Sequence, residues 1–182
     1  MNRPLAFFFA MILAFISVSS ACMAQSPDMV GFTLEPQRGD PAKIKARFSR
    51  EKNGRDENNW STGFMPSDLI GLEVSSFRNA GSRPLHFSIV REAGRLDCSG
   101  SGGESYAHGN CRFTSDPAFL QLLAARGIGQ PSHDQAFALV AVNAKREMIQ
   151  ALGTARYPTP KMDDVIALSA LGVDGRYITE MA

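Results

Sequence analysis

The chain has 182 residues, 44% of them apolar and 20% charged, with 19 basic against 18 acidic side chains. Such a composition is ordinary for a globular protein of one domain or two small ones. The near-neutral balance lacks the basic footprint of a nucleic-acid binder, so no nucleic-acid partner is expected.

The N-terminus "MNRPLAFFFAMILAFISVSSACMAQS" has Arg3 as its one charge, an apolar run from Leu5 to Val18, and then small residues. That order is the order of a secretory signal peptide, predicted over residues 1–24 with cleavage between Ala24 and Gln25. The apolar run is shorter than the roughly 20 residues of a membrane-spanning helix. No second run follows, so no span is expected in the mature chain. Lipidation at Cys22 is the competing outcome, but Ser19 stands where a lipobox has an aliphatic residue. The chain is therefore read as exported, periplasmic or secreted. Cleavage removes only Arg3 among the charges, which leaves 18 basic and 18 acidic residues. It also removes Cys22, and the remaining pair, Cys98 and Cys111, reads as a disulfide in an exported protein.

The fold class expected is α+β. Residues 25–115 form a small antiparallel β domain, and residues 116–182 form an array of short helix pairs. In "AKIKARFS", Ile44, Ala46 and Phe48 alternate with Lys43, Lys45 and Arg47, as a half-buried strand requires. Leu85, Phe87 and Ile89 share a face. Leu96 and Cys98 keep that parity after the turn at Gly94, and Cys111 and Phe113 supply the partner strand of a stapled hairpin. His86 falls on the outward parity. "SREKNGRDENN", Ser49 to Asn59, has no apolar residue and is expected to be a solvated loop. Trp60, just after it, is expected to anchor the core rather than offer a ligand platform. "MPSDLIGL" suggests a helical turn starting at Ser67 or Asp68.

From residue 116 the period changes. Asp116 can cap a helix, Pro117 suits its first position, and Gly127 suits its stop. Phe119, Met148 and Tyr177 are spaced by 29 residues, as are Leu120, Ile149 and Ile178, and Leu123, Leu152 and Met181. Asp134, Ala138, Leu139 and Ala141 recur with the same spacing as Asp163, Ala167, Leu168 and Ala170. A fixed period of this size signals stacked helix pairs. "SHDQ", from Ser132, has the capping-box form. Thr159 followed by Pro160 offers another helix start, and Asn143 and Gly172 occupy equivalent helix stops. About five short helices are expected, with the β half covering one end. The last unit stops after Met181 and leaves an apolar edge.

"DDVIALSALGVDGRYITEM" resembles a bacterial helical repeat of the approximate form D-D-L-I-x-L-x-x-x-G-V-x-x-x-Y-I-x-x-L. That repeat is found in secreted proteins of unknown function and behind the membrane domain of antirepressor-type metallopeptidases that sense β-lactams or related stress. "FSIVREAGRLDCSGSG", leading through "CRF" to "DPAFLQLLAARGI", is similar to the β segment that often precedes those repeats. The resemblance covers about residues 85–182. It implies architecture and a signalling context rather than catalysis, because the chain has no H-E-x-x-H motif and no peptidase membrane helices.

No reaction chemistry is legible. His86, His108 and His133 lie far apart and there is no C-x-x-C, so no metal site is assigned. Ser101 in "SGSGG" departs from the nucleophile elbow because Ser99 replaces its first glycine. No dinucleotide fingerprint or lysine-ending phosphate loop is complete. Glu73, Glu92, Asp97, Glu104 and Asp116 could pair for acid–base work only if the fold brings two of them together. The expectation is a non-catalytic exported interaction or sensing module, without catalytic, cofactor or metal residues, acting on an envelope protein partner. The alternative is an envelope hydrolase with a site between the halves, near Asp97, Glu104 or His108.

Overall fold

A computed structural model describes residues 29–52, 55–155 and 157–182. The expected signal sequence, its Ala24–Gln25 cleavage site and Cys22 lie outside the described residues. The described chain is mixed α+β. Six antiparallel strands, β1 (Met29–Pro36), β2 (Ile44–Lys52), β3 (Arg55–Phe64), β4 (Arg83–Arg91), β5 (Gly94–Gly103) and β6 (Tyr106–Ser115), form one sheet in the order β3-β2-β1-β6-β5-β4. A short helix, α1 (Val74–Arg78), precedes β4. Five more follow the sheet: α2 (Pro117–Ala125), α3 (His133–Ala141), α4 (Arg146–Thr154), α5 (Met162–Ala170) and α6 (Gly175–Glu180).

Alternation sets the inner face of the sheet. Val30, Phe32 and Leu34 on β1, Ile44, Ala46 and Phe48 on β2, and Leu85, Phe87 and Ile89 on β4 are all buried. Leu96 and Cys98 on β5 and Cys111 and Phe113 on β6 share that burial. Cys98 and Cys111 are directly opposed in the β5–β6 register and joined by a disulfide. Gly100 and Gly109 are opposed one step along the same face. Because they carry no side chain, Phe32 of β1 reaches across both strands to Phe87 of β4, with ring centroids 5.0 Å apart. A Cβ on Gly109 would lie 2.8 Å from the Phe32 ring and nearer still to backbone of β5. The sheet therefore curls, and its two edge strands approach each other. Arg91 at the end of β4 lies over Trp60 and Phe64 of β3, 5.1 and 5.3 Å from the ring centroids. Trp60 is half-buried and stacks on Phe48.

Three local expectations are corrected. Ser49–Asn59 is not a loop: β2 continues to Lys52, β3 starts at Arg55, and pairing runs from Ser49↔Asn59 to Lys52↔Arg55 with a register shift between Arg50 and Glu51. β1 pairs with β2 only as far as Gly31↔Ser49, so the hairpin continues as a two-strand ribbon beyond its neighbour. A ribbon held by its backbone ladder has no need of the apolar alternation that marks a core strand. The turn in "MPSDLIGL" is a 3₁₀ turn starting earlier, at Pro66, after which Ile70 bridges Ser88 at the edge of β4. Thr159 does not cap α5. Lys161 does, and its N–H donates to the Asp164 carboxylate at 2.8 Å.

The helix ends follow local chemistry. Asp116 accepts from the Phe119 N–H, and Ser132 and Gln135 form the reciprocal box at the start of α3. Gly127, Asn143 and Gly172 are all left-handed, with φ of 75°, 57° and 73°. After each, the next N–H donates back over a full turn: Ile128 to Leu123, Ala144 to Leu139 and Val173 to Leu168, at 3.1, 2.9 and 3.0 Å. That is the Schellman stop. α3 packs on β5 and β6, α5 on α3, α4 on α2, and α6 on α4. One continuous apolar cluster runs from Phe48 in the sheet through Phe113 and Phe137 to Val165 and Ile178.

Candidate functional site

The sequence points to the junction between sheet and helices, near Asp97, Glu104 or His108, and the structure adds the outward face of β4, β5 and β6. The junction is built from side chains that join the parts. Phe113 of β6 meets Phe137 and His133 of α3 edge-on, at 5.7 and 5.5 Å. Arg91 donates to the Val140 and Ala141 carbonyls at 2.6 and 2.7 Å, so a cation sits at the C-terminal end of α3. Burial lowers the pKa of Arg91 to about 10, with Asp68 opposing that shift, and the group stays charged at neutral pH. Arg50 of β2 pairs with Asp134 in the first turn of α3 at 2.5 Å. Glu92, in the β4–β5 turn, accepts from the Arg146 N–H at 2.7 Å and thus caps α4 from outside the helix.

Asp116 belongs to the same junction. Its carboxylate caps α2 and accepts from the Arg146 guanidinium at 2.6 Å, while that guanidinium lies 5.5 Å from the centre of the Phe119 ring. The Phe119 N–H, and after it Arg146, hold the carboxyl below the usual aspartate range. Its folded value is thus below its unfolded one. The stability it contributes is complete above about pH 4 and is lost as pH falls through the depressed folded value. Asp116→Asn keeps a capping oxygen but removes the ion pair. With the side chain 38% exposed, solvent screening limits the loss to about 0.5 kcal/mol. The expected result is a small drop in neutral-pH stability and a shallower acid limb in denaturation followed by circular dichroism; an unchanged acid limb would contradict it.

The outward face of β4, β5 and β6 is polar. In one cross-strand row His86 pairs with Ser99 and Ser99 with Asn110. In the next, Ser88 pairs with Asp97 and Asp97 with Arg112. Asp97 accepts from the Ser88 hydroxyl and from Arg95 Nε, both at 2.6 Å. The Ser88 bond first, with Arg95 and then Arg112 adding, holds the Asp97 carboxyl below its usual range. A shallow cavity of about 510 Å³ lies over these rows, edged by Met29, Ile70 and Gly71. A second, of about 300 Å³, sits at the tip of the β5–β6 hairpin beside Ser101, Glu104, Tyr106 and His108. Glu104 and Ser105 form its left-handed turn, held by donation from their N–H groups to the Asn79 and Phe77 carbonyls.

Of the acidic residues singled out by sequence, Asp97 and Asp116 line one cavity of about 440 Å³ and Glu92 and Asp116 meet at Arg146, but each carboxylate is engaged by its own donors. Glu73 accepts from Ser76, Glu92 and Asp116 serve Arg146, Asp97 serves Ser88 and Arg95, and Glu104 lies in the hairpin turn. Ser101 and His108 oppose each other across β5 and β6, but among the described residues no side-chain hydrogen bond links Ser101, Glu104 and His108. Among the described residues no group of three His, Cys, Asp or Glu side chains is placed to hold a metal. Arg91, Glu92 and Arg146 were missed as joining residues. The available signal was parity, since Arg91 follows Leu85, Phe87 and Ile89 on the inward face of β4.

Compared with known protein families, curated proteins and solved structures, the chain has no match. The buried disulfide is nevertheless characteristic of a protein outside the reducing cytoplasm. Among the described residues no helix is long and apolar enough to cross a membrane.

Proposed function

We propose that this is a non-catalytic exported interaction module of the bacterial envelope, whose helices form a short array with a 29-residue period. The array is supported by the element bounds: α2, α4 and α6 start at Pro117, Arg146 and Gly175, and α3 and α5 at His133 and Met162. Export is supported by the disulfide and by the leader-like N-terminal sequence. The resemblance of residues 85–182 to repeats in envelope signalling proteins supports the same setting.

The observation that carries the interaction role is the surface at the α5–α6 end. Leu171, Tyr177 and Met181 are 80%, 55% and 62% exposed. Their counterparts one period earlier, Met148 and Leu152 for Tyr177 and Met181, are buried. Exposed apolar residues in a cluster mark a contact surface, and stacked helix pairs present such surfaces to protein partners. At the junction, where a hydrolase cleft was the alternative, two cavities of about 350 and 440 Å³ lie beside Arg91, but their carboxylates are already engaged, Asp68 by the Met65 N–H, Asp97 by Ser88 and Arg95, and Asp116 by Arg146, which supports the interaction role.

Proximity labelling of the full-length protein in living cells tests this. Specific envelope neighbours are expected for the wild type and should be lost when Leu171→Glu and Tyr177→Glu are combined, two surface changes that leave the core intact. Neighbours retained by that variant, or none above background, would overturn the assignment to this surface.

A further inference from the structure

We propose that the outward face of β4, β5 and β6 holds a binding site for an oxyanion, carboxylate or phosphate, carried on a short apolar chain, with Arg112 as its anchor. This site is separate from the α5–α6 surface and does not depend on it.

The cross-strand register builds the site. Met29 of β1 is paired with Arg112, Arg112 with Asp97, Asp97 with Ser88, and Ser88 with Ile70. One continuous row thus has a basic, an acidic and a hydroxyl residue at its centre and an apolar side chain at each end. Met29 and Ile70 are 49% and 56% exposed, on opposite edges of the same 510 Å³ cavity. Beside this row lie His86, Ser99 and Asn110, the polar lining of the same cavity.

The charges in the row do not cancel. Asp97 already accepts from Ser88 and Arg95. Arg95 pairs with it at 2.6 Å and Arg112 acts on it through space, so two arginines share one carboxylate and the row carries one net positive charge. Among the described residues Arg112 makes no hydrogen bond or ion pair, and the side chains of His86, Ser99 and Asn110 are likewise without hydrogen bonds. A guanidinium with its fork open, beside a hydroxyl and an amide that can both donate, matches the planar oxygens of a carboxylate or the oxygens of a phosphate. The two exposed apolar side chains at the rim add contact for a short chain attached to that anion. A free inorganic ion would leave them unused.

The experiment is an NMR titration of the folded protein with four probes: acetate, hexanoate, inorganic phosphate and hexyl phosphate. Saturable shifts confined to the amides around Ser99, Asn110 and Arg112 are expected, with the hexyl probes binding more tightly than their short counterparts. Whether hexanoate or hexyl phosphate binds more tightly identifies the anion. Arg112→Gln should weaken binding about tenfold to a hundredfold, the range for one charged hydrogen-bond donor. Arg47→Gln, an exposed position on β2 away from the cavity, should leave it unchanged. Ser99→Leu, which fills the floor, should also abolish it and checks the location independently of charge. Unsaturable shifts, equal loss in Arg47→Gln, or equal affinity for short and hexyl probes would each overturn the proposal.

Discussion

Arg91→Met is expected to lower the unfolding free energy by about 2–4 kcal/mol, the combined size of charged hydrogen bonds and a partly desolvated cation–π contact. The guanidinium of the native residue donates to two carbonyls at the end of α3 and covers the rings of Trp60 and Phe64. Methionine keeps much of the stem and removes all of these. The Ala141 carbonyl then loses the Arg91 donor, the Val140 carbonyl keeps the Asn143 N–H, and the cation no longer opposes the negative end of the helix dipole. Because the pKa of Arg91 remains at about 10, the residue is charged throughout the neutral range, and the loss should not vary with pH there. Arg91→Lys should recover only part of the stability, since an ammonium can serve both carbonyls, as the single Nη1 does, but has no planar face to lie over the two rings. Urea denaturation of the three proteins measures this. A methionine variant within experimental error of wild type would show that neither the Ala141 carbonyl nor the two rings depend on Arg91 for stability.

Replacing Cys98 and Cys111 together by alanine is expected to cost about 2–5 kcal/mol, the usual consequence of losing a native disulfide from a small domain. Both residues are at most 4% exposed, so the loss combines a released constraint on a loop of sequence separation 13 with the removal of core volume. The double substitution avoids leaving a lone thiol. In the native protein, thiol labelling mapped by mass spectrometry should find Cys98 and Cys111 unreactive until the chain is unfolded and reduced. Reactive thiols at both positions in native protein recovered from the envelope would refute the bond. A double variant with unchanged stability would place the stabilisation in the surrounding Phe32–Phe87 packing instead.

Legibility varied with how local the deciding physics is. Helix stops at Gly127, Asn143 and Gly172 were readable because a left-handed residue and two backwards N–H bonds are set within about six residues. The inward faces of β4, β5 and β6 were readable because half-buried strands need alternation. The β2–β3 ribbon was not, since it runs past β1 and its pairing is fixed by the hairpin ladder rather than by an apolar face. α1 was missed because five residues are too few for a helical period to show. Its position depends on Phe77, which is buried against the sheet.

The candidate surfaces divide in the same way. The apolar residues at 177 and 181 could be named from the spacing, but their exposure, and that of Leu171, follows only from the packing of α4, α5 and α6. The row Met29, Arg112, Asp97, Ser88 and Ile70 has no sequence signature, because its members come from four strands and a bridge and meet through register.

By itself, the sequence determined the alternation of the core strands, the caps at Asp116 and Ser132, and the helix stops, because each depends on neighbours along the chain. The tertiary structure decided the strand order, the curl that brings Arg91 over Trp60, the external capping of α4 by Glu92, and the row of polar groups on the open face. Those depend on side chains tens of residues apart coming within a few ångströms, and a linear pattern carries no term for that distance.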